Sequence, residues 1–153
     1  MNKDAYISHD GRYRYTLSRI WDETKPLVMF IGLNPSTADE YTDDNTIKRC
    51  CNFALSWGYG GILVGNLFAY RSTNPNNLFM VEDPIGPEND TYLKKMSMSA
   101  ALIVAVWGNS GCLQNRSHVV AKMFPEMKCL RKNKTGEPAH PLYLPADLKP
   151  INF

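Results

Sequence analysis

The sequence predicts an α/β fold: a three-layer sandwich around a central, largely parallel four-stranded sheet, with an N-terminal antiparallel edge strand. Three observations carry this expectation. Unbroken apolar runs recur along the chain, as in "PLVMFIGL", "GGILVGN" and "ALIVAVWG", and such runs suit strands covered on both faces. Between them lie segments with helical spacing of apolar residues and helix-start residues in front. Strands that alternate with helices in this way build a parallel sheet through crossovers.

Each element has its own local reason. "YRYTLSRIW" alternates aromatic or aliphatic residues with Arg, Thr and Ser, which reads as an antiparallel edge strand entered from the "HDG" turn. "PLVMFIGL" is the first buried strand. "DDNTIKRCCNFALSWG" places Ile47, Cys50 or Cys51, Ala54 and Trp57 on one face, with acids in front and Gly58 behind, the pattern of a capped amphipathic helix. "GGILVGNLFAYR" is the second buried strand. "PENDTYLKKMSMSA" opens with Pro87 and acids and reads as a helix by the same rules. "ALIVAVWGNSG" is a third strand ending in a glycine-rich turn, "NRSHVVAKMF" a helix, and "KCLRKNKTGEPAHPLYLP" a short last strand followed by a proline-rich loop. No linker or repeat divides the chain, so residues 1–153 are expected to form one domain.

Composition narrows the function classes only mildly. Net charge is +2, compatible with either DNA or a small anion as partner. The N-terminus is polar, and no window reaches the ~20 apolar residues of a membrane helix; a cytoplasmic location and no membrane partner are expected. The four cysteines, Cys50, Cys51, Cys112 and Cys129, form no C-x-x-C pair, so no metal site and no cofactor are expected, and free thiols are.

In parallel α/β sheets the site lies beyond the carboxyl ends of the strands. The loops there are "GLNPSTADE", "NLFAYRSTNPNN", "GNSG" and "GEPAHPLYLP". Asn34, before Pro35, reads two ways: as a turn residue, or as an amide that positions water in a cleft. Asn66 ends a buried run and offers a donor beside an acceptor, the pattern of a nucleobase edge; a structural tie between loops is the other reading. His140 sits between prolines and, when neutral, can donate one hydrogen bond to developing negative charge, or simply pack in its loop. Arg71 is either a phosphate ligand or a solvated charge. Asp39, Glu40, Asp43 and Asp44 precede a helix, which capping explains. Phe68 and Tyr70 read as core or as a stacking platform, and Trp107 as packing above the site. Gly108 to Gly111 offer backbone donors, but without a "GK[ST]" they are not a P-loop.

At these residues the sequence resembles two families. Over nearly its whole length it is similar to the domain-of-unknown-function family 1643, through "FIGLNPSTAD", "DDNTIKRC", "WGYGGILVGNLFAYRSTNP", "DPIGPENDTYL", "VAVWGNSG" and "HPLYLP". More distantly its layout resembles the uracil-DNA glycosylase superfamily: a strand then Gly32-Leu33-Asn34-Pro35, a strand ending in Asn66, and a late His140-Pro141-Leu142. That resemblance implies that Asn34 holds the hydrolytic water, Asn66 reads a flipped base, and His140 stabilises the leaving base. It places Gly32, Leu33, Pro35, Ser36 and Phe68 beside the base. Arg71, Ser72, Asn109, Ser110, Pro141, Leu142 and Tyr143 then face nucleic acid or phosphate. Ser36 and Thr37 depart from the Gly or aromatic residue of several branches, and the chain is shorter than most such enzymes.

The function expected is therefore nucleic-acid binding and hydrolysis of the N-glycosidic bond of a flipped base, modified bases included. A hydrolase or transferase of free nucleosides or nucleotides, and a nucleic-acid- or nucleotide-binding domain without catalysis, are the alternatives.

Overall fold

A computed structural model describes residues 1–153. Seven strands form one sheet: β1 (Asn2–Ile7), β2 (Arg14–Ile20), β3 (Leu27–Gly32), β4 (Gly61–Asn66), β5 (Leu102–Ala105), β6 (Lys128–Cys129) and β7 (Ile151–Asn152). Their spatial order is β1-β2-β4-β3-β5-β6-β7. The α/β class holds, but the sheet is wider than expected and mixed. Pairs β3–β4, β3–β5 and β5–β6 are parallel, while β1–β2, β2–β4 and β6–β7 are antiparallel.

The expected edge strand, β2, is interior. The two strands absent from the expectation, β1 and β7, are the real edges. Both expose most of their residues. Neither carries the alternation by which a half-buried strand is legible, and β7 is only two residues long.

Three helices cover the sheet. Helix α1 (Asn45–Ser56) follows β3, α2 (Asn89–Met98) follows β4, and α3 (Arg116–Met123) follows β5. Asp44 caps α1, its Oδ1 accepting from the Ile47 N–H at 2.9 Å. Ile47, Cys50, Phe53 and Ala54 of α1 are buried; of the adjacent cysteines, Cys50 is the inward one, and all four are free thiols.

Alternation along the strands splits the core in two. Val28, Phe30, Ile62, Val64 and Val104 pack beneath α1. Met29, Ile31 and Ala105 pack on the other face with Leu93 and Met96 of α2 and Val120 of α3. Beside β3, the chain leaves for β4 on one side, while β5 and β6 lie on the other. Such a reversal opens a crevice at the carboxyl ends of the parallel strands.

The loop between β3 and α1 is pinned from β2. Arg19 is fully buried. Its Nε donates to Asp43 Oδ1 at 2.7 Å, and its Nη atoms donate to the carbonyls of Ser18 at 2.8 Å, Thr42 at 3.2 Å, and Asp39. In the alternating segment "YRYTLSRIW", Arg19 is thus a buried cation with a carboxylate partner. Removing the partner strands the charge in the interior. Asp43→Ala is expected to lower the unfolding free energy by about 3 kcal/mol, read from denaturant midpoints. A loss below about 1 kcal/mol would mean that the carbonyls alone suffice.

Candidate functional site

Where the carboxyl ends of β3, β4 and β5 meet the start of α1, a cavity of about 210 Å³ opens. Asn34, Asn66 and His140, far apart in sequence, all line it, together with Gly32, Leu33, Pro35, Ser36, Ser72 and Trp107. Apolar walls come from Phe30, Ile47, Val64 and Val106.

Asn66 ends β4 directly opposite Gly32, the last residue of β3. A Cβ on Gly32 would lie 2.8 Å from Asn66 Oδ1, closer than a side chain tolerates, so the glycine is what admits the amide. Behind the strand, the carbonyls that leave the ladder are held. Asn89 Nδ2 donates to Asn66 O at 2.9 Å and to Leu67 O at 3.1 Å, and Arg116 Nε donates to Leu67 O at 2.8 Å. Asn66 is 4% exposed, yet its Nδ2 has no partner. A buried amide donor left without a partner beside a cavity is free to meet an acceptor there.

Asn34 is a loop tie and a cavity-lining residue at once. Its Nδ2 donates to Ser72 O at 2.9 Å and Pro35 O at 3.1 Å, tying the loop after β3 to the loop after β4. With the NH2 so committed, Oδ1 makes no protein hydrogen bond and remains an acceptor in the cavity wall.

His140 arrives from the late loop, which is fastened to β5 and β6. The Gly108 N–H donates to Pro138 O at 2.9 Å and the Ala139 N–H to Arg131 O at 2.8 Å. Gly108 takes φ of +76° to make this turn, and Trp107 Nε1 donates to Glu137 Oε2 at 3.1 Å. His140 Nδ1 accepts the Leu142 N–H at 3.3 Å, so the proton of the neutral ring sits on Nε2. Burial lowers the His140 pKa, with the Asp44 carboxylate opposing; the ring is held neutral, as a donor.

Two charged lining residues lay outside the sequence reading of the site. Asp44 was read as a cap, and it is one, but it also lines the cavity and its Oδ2 makes no hydrogen bond with the protein. Arg14, 2% exposed, was read as a polar residue of an edge strand and lines the cavity as well.

Other expected site residues fall elsewhere. Phe68 is fully buried in the core beneath α2 and α3. Arg71 donates to Gly11 O at 3.4 Å, outside the cavity. Asn109 accepts from Asn133 and Thr135, and neither it nor Ser110 lines the cavity. Pro141 is buried, Leu142 half-buried and Tyr143 89% exposed, and none of the three lines the cavity. No three His, Cys, Asp or Glu side chains form a metal-binding group, and no helix is long and apolar enough to cross a membrane.

Among families, the model described as "Protein of unknown function (DUF1643)" matches residues 14–142. No curated protein and no solved structure matches the chain.

A depressed histidine pKa makes a pH prediction. The unfolded chain binds a proton at His140 more readily than the folded one, so stability from this group is whole above about pH 6.5 and is lost as pH falls through the lower folded value. Between about pH 7 and about pH 5 the parent protein should lose more unfolding free energy than His140→Asn, measured by urea titration at each pH. Equal losses would show that His140 titrates alike in both states.

Proposed function

The chain belongs to the DUF1643 family, whose description assigns no chemistry, and from the cavity we propose that it hydrolyses the N-glycosidic bond of a nucleobase, presented by nucleic acid. One observation carries this reading: Asn34, Asn66 and His140 converge on one cavity of about 210 Å³, of a size for a single heterocycle with apolar walls. The order of motifs, resembling that of the uracil-DNA glycosylase superfamily, supports the same division of labour.

The chemistry follows from what each group has free. Asn66 Nδ2 donates to an acceptor on the base edge. His140 Nε2–H donates to the base as the glycosidic electron pair moves onto it. Charge stabilisation of this kind, in a site shielded from water, is worth roughly 10²-fold or more per donor. Asn34 Oδ1 accepts from a water molecule, and the Asp44 carboxylate offers that water a second acceptor and negative charge beside the oxocarbenium-like sugar. The water oxygen bonds to the sugar carbon; its proton leaves by way of Asp44, and the base departs to be protonated.

Incubation with oligonucleotides carrying uracil, mismatches or modified bases, and separately with free nucleotides, should release free base. Asn34→Ala and His140→Ala are each expected to reduce release by roughly 10²-fold or more while the circular dichroism of the fold is kept. Full release by both variants would show that the site is misassigned. If duplex is the substrate, its binding should weaken steeply with salt through counterion release; salt-insensitive turnover of free nucleotides would favour the nucleoside or nucleotide reading.

A further inference from the structure

Three arginines are buried in this chain, Arg14, Arg19 and Arg116. Arg19 pairs with Asp43 and Arg116 with Asp90. Arg14 has no carboxylate partner. Its Nη1 donates to Ala38 O at 3.0 Å, and its Nε is buried without any partner. Burial brings its pKa down to about 10, with Asp44 opposing, so the guanidinium is charged at neutral pH. A cation out of water with a single neutral acceptor is costly, and unpaired buried charges of this kind are rare where nothing uses them.

The backbone is shaped to put it there. In the β1–β2 ladder Tyr6 faces Thr16 and Ile7 faces Arg14, so Tyr15 has no partner. This is a β-bulge, and an extra residue in one strand re-aims the side chains beyond it. Tyr15 goes to the α2 side, stacked on Tyr92 at 5.4 Å between ring centres. Arg14 turns to the cavity shared with Ile47 and Cys50 of α1.

Asn66 stands on β4, the strand next to β2. Two buried donors, Arg14 Nε and Asn66 Nδ2, thus lack acceptors at the ends of neighbouring strands, and both residues line one cavity. The free oxygens of Asn34 and Asp44 stand in the same wall but bond neither donor, so what these two lack is an acceptor within their reach, and one of them belongs to a full positive charge. We infer that the ligand brings an oxyanion into this cavity, and that Arg14 is the residue that selects for it, beside Asn66. The oxyanion is either a carboxylate carried by the heterocycle or the phosphate of its nucleotide. This rests on the reading that the cavity takes a nucleobase, but it concerns recognition and not bond cleavage.

Titration calorimetry on the full chain with uracil, 5-carboxyuracil, 6-carboxyuracil, uridine 5′-monophosphate and inorganic phosphate tests it. At least one anionic ligand should bind roughly tenfold or more tightly than uracil, the worth of one charge-assisted hydrogen bond. The advantage should vanish in Arg14→Met and return in part in Arg14→Lys, which restores charge without the planar fork. A carboxyuracil in the lead places the anion on the ring; the nucleotide or phosphate in the lead places it on the phosphate. Thermal unfolding gives a second readout: an unpaired buried charge replaced by Met should leave the midpoint unchanged or raised. A fall comparable with that of Asp43→Ala would make Arg14 a structural residue and overturn the inference. Uracil binding without preference for anions, or a preference that survives in Arg14→Met, overturns it too and leaves the base site standing. Binding of none of the five removes both readings.

Discussion

The pairing of Gly32 with Asn66 at the carboxyl ends of β3 and β4 is the constraint on which the cavity depends. A parallel ladder fixes these two residues side by side, and the missing Cβ of Gly32 is what leaves room for the Asn66 amide. Once the amide lies over the glycine, its NH2 has no partner in the protein. Beyond it the Leu67 N–H still donates to Gly32 O, while Asn89 and Arg116 take up the carbonyls of Asn66 and Leu67. Ladder, glycine and the two supporting side chains thus form one unit, in which α2 and α3 hold from behind a group that opens toward α1.

The rest of the rim is assembled by polar groups that each do two things. Asp44 caps α1 and keeps one oxygen free for the cavity. Asn34 ties two loops with its NH2 and keeps its oxygen free. His140 accepts a backbone N–H at Nδ1 and is thereby left as a donor at Nε2. In each case the structural bond determines which face of the group remains for chemistry. The opposition drawn from sequence, turn residue or cleft residue, dissolves for Asn34 because an amide has two ends: one ties the loops, and the other stands in the cavity wall.

Much of the site was legible along the chain. Asn34, Asn66 and His140 were placed correctly at a common cavity because each follows an apolar strand or a proline-fixed loop, and polar residues at such points have few places to go. Asp44 was legible only as a cap, since its second oxygen is invisible to a local rule. Phe68 was misplaced because an aromatic residue just past a strand can serve either face. Arg14 escaped altogether. Its direction depends on a bulge against β1, and β1 itself has too little apolar alternation to announce a strand.

The sequence by itself determined the α/β class, the buried strands, the three helices and the loops that carry the site, because apolar period, capping residues and glycine or proline stops are local properties of the chain. Tertiary structure decided the breadth and mixed character of the sheet, the burial of Arg14 and Arg19, and the open donors of the cavity. Those follow from which strands become neighbours and from which hydrogen-bonding groups find partners across them, and no local pattern encodes a partner that is missing.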